Sequence, residues 1–248
     1  MTKTLILYVF HIYNDRVKYF IDNCIFYDEN IDFIIISNDK SNKVDIGNSK
    51  NTSILFRDNI GYDFGGWSDA LLTNNLYKNY DQFVFVNSSV TGPFVPSHYK
   101  KKDWPSIYID GLRDNVKLFG STINTIRKPL TLSHVQSYIF AMDKNTLQYL
   151  IDCQIFSMTN YAKTFNEAIW YKEVLMSRLL IKNGWNIGSR LSYYKGVDFT
   201  FKNKRPEEYN IEYLGDIMFY PYRNVLWNEY DIVFIKGNRI DIAVTQRR

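Results

Sequence analysis

The chain has 248 residues, of which 46% are hydrophobic and 23% are charged. This length and composition are typical of one large globular domain, and they exclude a disordered chain, a collagen-like repeat and a small scaffold built on disulfides. Thirty Lys and Arg residues against 26 Asp and Glu give a formal net charge of +4, which is too small to indicate nucleic-acid binding. The mild basic surplus is compatible with peripheral association with an anionic membrane surface.

Only two cysteines, Cys24 and Cys153, are present, and this number favours a reducing compartment over a disulfide framework. The first apolar run, at residues 5–10, is far shorter than the roughly 20 residues of a membrane-spanning helix. No signal peptide or lipidation motif is recognisable. We therefore expect a cytoplasmic protein, free or at the inner face of a membrane.

The first 90 residues alternate short apolar runs with helical patterns, which predicts a parallel sheet with crossover helices. Four runs that are nearly continuous in hydrophobicity predict strands covered on both faces, at residues 4–10, 31–37, 53–56 and 82–86. Asn14 or Asp15 is expected to cap the first helix, and a second helix is expected at about 67–77. The pattern predicts an α/β fold, a Rossmann-like and mostly parallel sheet with flanking helices.

The second half of the chain is less regular. It predicts a strand at 135–142 followed by a helix capped by Asp143, a long helix at 166–183 that ends at Gly184, and a C-terminal hairpin at 232–244. We expect a single domain over 1–248, in which 1–95 binds the main ligand and 96–248 completes the site.

Polar clusters follow each of the first four predicted strands. They are His11, Tyr13 and Asn14; Ser37, Asn38 and Asp39; Arg57, Asp58 and Asn59; and Asn87, Ser88 and Ser89. Any one cluster is ordinary for a loop, but ligands of open α/β sheets bind at the carboxyl ends of the strands. Four clusters in register therefore predict a binding site there.

The stretch at 59–67 contains Gly61, Gly65 and Gly66, which could form a turn that binds a nucleotide or a sugar. An ordinary strand-to-helix connection with Asp63 as N-cap explains the same residues equally well. The spacing matches neither a dinucleotide-binding fingerprint nor a phosphate loop, which disfavours a dehydrogenase or a kinase.

One carboxylate of the long predicted helix is expected to face the interior. At about 100° per residue, one arc of roughly 160° contains Met176, Ile169, Leu180, Glu173, Ser177, Trp170, Ile181 and Val174, while Lys172, Arg178 and Lys182 lie opposite. A carboxyl group in such surroundings tends to have a raised pKa, which suits a general base. The alternative, a structural glutamate bonded to a backbone group or to Ser177, remains open. Among the three histidines, His134 is the first candidate for a functional role.

Several stretches together resemble the rhamnan-synthesis F type of glycosyltransferase, a family of bacterial polysaccharide clusters with relatives in large viruses. The stretches are 59–63 with the following glycines, 85–93, 134–138, Glu173 with Ser177, and 232–239. The resemblance implies a GT-A-like fold and an enzyme that transfers a hexosyl or deoxyhexosyl group, such as rhamnosyl. The donor would be a UDP-, dTDP- or GDP-linked sugar, and the acceptor a glycan or a lipid-linked glycan.

The family commonly has Asn-Asp-Ser where this chain has Asn87-Ser88-Ser89, so the carboxylate expected to bind Mn²⁺ or Mg²⁺ is missing at Ser88. Metal dependence is therefore in doubt. Either Asp63 substitutes as a metal ligand, or Lys236 and Arg239 neutralise the diphosphate directly.

The resemblance and the strand-end clusters together lead to a set of expected roles. The donor would be held by His11, Tyr13, Asn38, Asn59, Gly61, Asp63, Asn87, Ser89, Lys236 and Arg239, with Glu173 as general base and His134 orienting the acceptor. The 219–222 segment with Trp227 is either an acceptor platform or core. A non-catalytic carbohydrate-binding module is the main alternative. A third possibility is an enzyme that makes nucleotide-sugars, but the lack of a Gly-rich phosphate loop at the first strand argues against it.

Overall fold

The computed structural model describes residues 2–47, 49–125, 132–209, 216–217 and 227–237. Its main sheet has seven strands in the order β10-β6-β9-β4-β1-β2-β3. The strands are β1 (Thr4–Phe10), β2 (Ile31–Ser37), β3 (Thr52–Phe56), β4 (Gln82–Asn87), β5 (Val90–Thr91), β6 (Val116–Gly120), β7 (Ile123–Asn124), β8 (His134–Val135), β9 (Ile139–Asp143), β10 (Asn186–Ser189) and β11 (Ile235–Lys236). Strands β1 to β4 are mutually parallel, and β9 joins β4 and β6 in antiparallel pairing.

Helices cover both faces of the sheet. They are α1 (Asp15–Cys24), α2 (Tyr62–Leu72), α3 (Trp104–Ile109), α4 (Lys144–Asp152), α5 (Phe165–Glu167), α6 (Leu175–Lys182) and α7 (Glu229–Ile232), with a π-helical segment at Ala168–Val174 that joins α5 to α6. Short 3₁₀ turns lie at Thr73–Asn79, Lys101–Asp103, Ser192–Tyr194 and Pro206–Tyr209. No helix within the described part of the chain is long and apolar enough to span a bilayer.

Burial of the central strands explains their apolar sequences. Every residue of β1 is buried, because helices cover both faces of the sheet. A cluster of aromatic rings fills the layer beside β4: Phe85 stacks on Phe140 at 4.8 Å between centroids, and Trp67 meets both rings edge-on. Such ring pairs add to the stabilisation from buried area. They help to account for the aromatic content of the chain, which is 17%.

The predicted fold class is confirmed: the structure is α/β, with a mostly parallel sheet and flanking helices. Asp143 caps α4 through its side chain, as predicted, and of the two candidates for the cap of α1, Asn14 and Asp15, the structure has Asn14. β3 is an edge strand and only partly buried, so the prediction that it is covered on both faces was wrong.

Two further predictions need correction. The expected strand at 135–142 is divided into β8 and β9, which belong to different sheets. Between them the backbone N–H of Ser137 donates to the Glu173 carboxylate and not to a neighbouring strand. The first arm of the expected hairpin begins as α7, which Asn228 caps, and only β11 is extended. β11 pairs with β5, and the second arm, at 239–244, lies outside the described residues.

The helical projection placed Lys172 on the solvent side, and this was wrong. Lys172 is buried, and its ammonium group donates to the carbonyl oxygens of Gln154 and Asn160 at 2.7 Å and of Ile155 at 3.0 Å. A π-helical segment has more residues per turn than an α-helix, so a projection at 100° per residue fails across 168–174. Burial lowers the pKa of Lys172 to about 8, and the group remains charged at neutral pH.

We predict that Lys172→Met destabilises the protein, because three carbonyl oxygens lose a charged donor. The loss in free energy of unfolding should be about 2 kcal/mol or more. Urea denaturation measures it, with Lys182→Met, an exposed lysine on α6, as the matched control. Equal stability of the two variants would contradict the anchoring role of Lys172.

Candidate active site

A cavity of about 590 Å³ opens at the carboxyl ends of β1 to β4, and its volume is typical of a small-molecule site. Nine of the twelve site residues predicted from sequence line it: His11, Asn38, Asn59, Asp63, Asn87, Ser89, His134, Glu173 and Lys236. Tyr13 instead packs edge-on against Phe10, and Gly61 precedes α2. Arg239 lies outside the described residues, as does the 219–222 segment.

The glycine-rich turn is shaped by contacts within the protein. Gly61 has φ +77°, a left-handed conformation that favours glycine, and it takes the N-cap position of α2 that was one possibility for Asp63. A Cβ on Gly65 would lie 2.0 Å from the carbonyl oxygen of Ile60. These glycines therefore allow a tight strand-to-helix connection and place Asp63 in the first turn of α2.

Arg57 fixes the loop between β3 and α2. Its buried guanidinium donates at 2.7 Å to Asn38 Oδ1, to Asp69 Oδ2 and to the carbonyl oxygen of Ile60. Asn38 in turn donates to the carbonyl oxygen of Tyr62 at 3.2 Å. The ends of β2 and β3 and the start of α2 are thus held as one unit at the cavity wall.

Glu173 joins the π-helical segment to the strand region on the other side of the cavity. Its Oε2 accepts hydrogen bonds from the backbone N–H of Ser137, at 2.9 Å, and from the Ser137 hydroxyl. Its Oε1 lies 3.5 Å from His134 Nε2, while His134 Nδ1 donates to the carbonyl oxygen of Leu132 at 2.8 Å. With Nδ1 as a donor, the contact of His134 with Glu173 is attractive when Nε2 is also protonated.

The predicted rise in the pKa of Glu173 was wrong. Burial does raise it, but the hydrogen bond and charge of His134 and the two bonds from Ser137 outweigh burial, so the pKa of Glu173 lies below its ordinary value. Its side chain is 17% exposed and faces the cavity as an ionised carboxylate at neutral pH.

Asp63 has the opposite electrostatic environment. Burial raises the pKa of Asp63 to about 6 despite a 2.9 Å hydrogen bond from Asn87, and the negative charge of Glu173 adds to the rise. Lys236 acts in the opposite direction. Asp63 and Glu173, two of the three carboxyl groups in the cavity, therefore ionise at different pH values.

Lys236 reaches the cavity from β11, which pairs with β5 next to Ser89. Its ammonium nitrogen lies 4.0 Å from Asp216 Oδ2, a long ion pair within the same cavity. The backbone N–H of Gly237 donates to the carbonyl oxygen of Ser89 at 2.7 Å. The chain around Lys236 is therefore tied to the end of β4.

The cavity residues do not fit a divalent cation well. Among the described residues, no three His, Cys, Asp or Glu side chains come together as a metal-binding group. One oxygen of Asp63 already accepts from Asn87, and Ser88 offers only a neutral hydroxyl. Mn²⁺ and Mg²⁺ prefer several charged oxygen ligands, so we assign no step to a metal ion.

Sequence reasoning missed several residues that line the cavity. They are Tyr62, Phe64, Asn124, Gln136, Ser137, Tyr138, Phe165, Ala168, Ile169, Trp170, Val174 and Asp216. Ile169, Trp170 and Val174 lie on the predicted inward arc but carried no predicted role, and Trp170 is 47% exposed. Asn124 and Asp216 stand far in sequence from any strand-end cluster, and no sequence signal marked them.

We predict that Asp63→Asn stabilises the protein at pH 8 but not at pH 4. Because its pKa is raised on folding from 3.8 to about 6, the ionised carboxylate costs stability progressively as pH rises through this range, by about 2–3 kcal/mol. Thermal or urea denaturation at both pH values measures the difference, with the exposed Asp58→Asn as control. A gain of equal size at both pH values would contradict the burial of an unfavourable charge at Asp63.

Comparisons with known proteins were made on sequence and on fold. No curated protein matches the chain significantly. Among solved structures, the fold is similar to the mannosyltransferase PcManGT from Pyrobaculum calidifontis in complex with GDP-Man and Mn²⁺, at a TM-score of 0.47 and 8% identity over 75% of this chain. The chain covers 54% of that structure, and a likeness this distant says nothing about donor or metal here. The family model of rhamnan synthesis protein F matches residues 33–207, so the chain belongs to that family.

Proposed function

We propose that the protein is a glycosyltransferase of polysaccharide synthesis that uses a nucleotide-sugar donor. The observation that carries the proposal is the cavity at the carboxyl edge of β1 to β4, which contains three carboxyl groups, of Asp63, Glu173 and Asp216, and one lysine, Lys236. Family membership supports the same activity. We take a rhamnosyl or related hexosyl donor as the working hypothesis because of the family's description.

The donor would occupy the side of the cavity formed by the strand ends. His11, Asn38 and Asn59 follow β1, β2 and β3 and offer hydrogen-bonding groups suited to a nucleoside. Asn87, Ser89 and Lys236 lie beside them, and Lys236 supplies a positive charge for the diphosphate. In this proposal residues 1–95 supply most of the donor side and 96–248 the acceptor side, with Lys236 as the donor-binding residue that comes from the second half.

Glu173 would act as the general base of an inverting transfer. An acceptor hydroxyl forms the new bond to the anomeric carbon, the bond to the diphosphate breaks, and the proton passes to the Glu173 carboxylate. Glu173 is ionised before the reaction and holds its position through Ser137 and His134. His134 would also orient the acceptor.

Asp63 is the competing base, because a pKa of about 6 is better matched to proton transfer near neutral pH. Its bond to Asn87 places it nearer to the strand ends, on the proposed donor side. We therefore assign Asp63 to donor binding, and a pH profile of the Asp63→Asn variant tests that choice. If the activity of the unaltered protein depends on pH near 6 and that of Asp63→Asn does not, Asp63 would be the base in place of Glu173.

A carbohydrate-binding module without catalysis is the second function that we consider. The abundance of aromatic residues and the missing acidic residue at Ser88 favour it. It predicts glycan binding without any affinity for nucleoside diphosphates, which calorimetry with UDP, GDP and dTDP would detect.

We predict that Glu173→Gln reduces transfer by about 10²–10⁴-fold, because general-base assistance is lost. The affinity for the nucleotide-sugar should stay nearly unchanged. Release of nucleoside diphosphate measures transfer, and Glu167→Gln, on the same helical stretch but outside the cavity, is the matched control. Full activity of Glu173→Gln would remove Glu173 from the mechanism.

We predict that Lys236→Ala weakens binding of the diphosphate group. A thermal-shift panel of UDP-, GDP- and dTDP-sugars, each with and without Mn²⁺, should give one donor that raises the melting temperature, and Lys236→Ala should diminish that rise. Lys117→Ala is the control, since Lys117 also pairs with an aspartate, Asp143, but lies outside the cavity. An unchanged shift in Lys236→Ala would rule out its proposed role, and no shift with any donor would contradict the transferase.

A further inference from the structure

Three aromatic side chains line the cavity where the start of α2 meets the helical stretch that runs from α5 into the π-helical segment. Tyr62, Phe165 and Trp170 all line the cavity, and we name them the aromatic wall. The rings of Tyr62 and Phe165 meet edge-on, with 6.2 Å between centroids. Phe165 is 65% exposed and Trp170 is 47% exposed, so both rings present apolar surface to solvent.

Holding these rings outward has a structural cost. Tyr62 has φ +57°, a left-handed conformation that is rare for a residue with a large side chain. Trp170 belongs to the π-helical segment, which is rare and often found at functional sites. The donations from Lys172 and Asn38 hold these two segments in place. Backbone strain that surrounding contacts maintain is frequently tied to ligand binding.

Polar groups suited to hydroxyls lie in the same cavity as the aromatic wall. Asn124 Oδ1 is buried and accepts no hydrogen bond from any residue that the structure describes, although Asn124 lines the cavity. The ionised Glu173 carboxylate adds further acceptor capacity. An apolar ring face beside hydrogen-bond acceptors complements a pyranose, which has C–H groups on one face and hydroxyls around its edge.

We propose that the aromatic wall binds the acceptor glycan by stacking against the apolar face of its terminal pyranose. The inference rests on the proposed function, which assigns the strand-end side of the cavity to the nucleotide-sugar donor and leaves the helical side for the acceptor. Trp170 and Glu173 belong to one π-helical segment, and both line the cavity. A sugar stacked on the aromatic wall is thereby presented to Glu173 with a hydroxyl directed into the cavity.

The test compares neighbouring aromatic residues of similar exposure. Trp170→Ala and Phe165→Ala remove rings of the aromatic wall, Trp170→Phe keeps a ring, and Tyr171→Ala removes a ring that is 64% exposed but outside the cavity. The probes are a rhamnose trisaccharide, a mannose trisaccharide and phosphatidylglycerol vesicles. Saturation-transfer NMR measures contact with sugar C–H groups, titration gives the affinity, and melting curves confirm that each variant folds.

We expect one of the trisaccharides to bind the unaltered protein and Trp170→Ala to weaken it by about tenfold or more. Trp170→Phe should retain most of the affinity, and Tyr171→Ala all of it. The proposal is overturned if neither trisaccharide binds, if Trp170→Ala and Tyr171→Ala bind equally, or if the aromatic residues serve vesicle binding alone.

The experiment distinguishes failure of the aromatic-wall proposal from failure of the proposed function. Glycan binding that depends on Trp170, without affinity for any nucleoside diphosphate, would support the aromatic wall and reject the transferase. Donor binding and transfer that persist unchanged in Trp170→Ala would support the transferase and reject the aromatic wall.

Discussion

The buried ammonium group of Lys172 determines how the helical stretch from α5 to α6 faces the rest of the molecule. Its three carbonyl acceptors all belong to residues 154–160, so the bond network holds the helix against that loop. With Lys172 turned inward, Glu173 faces the cavity and Trp170 lies at its mouth. The position of both the proposed base and the proposed sugar-binding ring therefore depends on one buried charge, which is costly to bury unless it is fully hydrogen-bonded.

Two carboxyl groups of the cavity, those of Asp63 and Glu173, show how local contacts can matter more than burial itself. Both are shielded from water, yet the pKa of Glu173 is lowered and that of Asp63 is raised. The difference arises because Glu173 accepts two bonds from Ser137 and faces His134, whereas Asp63 accepts one bond from a neutral amide. Separation of two pKa values in one site is a common basis for distinct acid–base roles.

The proposed site has two sides with different chemistry. The strand-end side contributes amides, hydroxyls and Asp63, and Lys236 from β11 adds a positive charge for a nucleoside diphosphate, while the helical side contributes aromatic rings and Glu173. This division matches a reaction between a charged donor and an uncharged sugar hydroxyl. The same arrangement explains why the strand-end residues were predictable and the aromatic residues were not. Strand ends of a parallel sheet meet by topology alone, whereas the rings depend on helix register.

The sequence by itself determined the parallel arrangement of the first four strands, the cap Asp143 and two candidates for the first cap, and nine of the cavity residues, because apolar periodicity, strand-end position and short motifs are local signals. Only the tertiary structure decided the orientation of Lys172 and Trp170, the division of 135–142 into two strands, and the pairing of β11 with β5. Each of these depends on a bond between residues distant in sequence, such as the bond from the Ser137 N–H to Glu173. The sequence also could not reveal the lowered pKa of Glu173, since that value is set by partners 36 and 39 positions away.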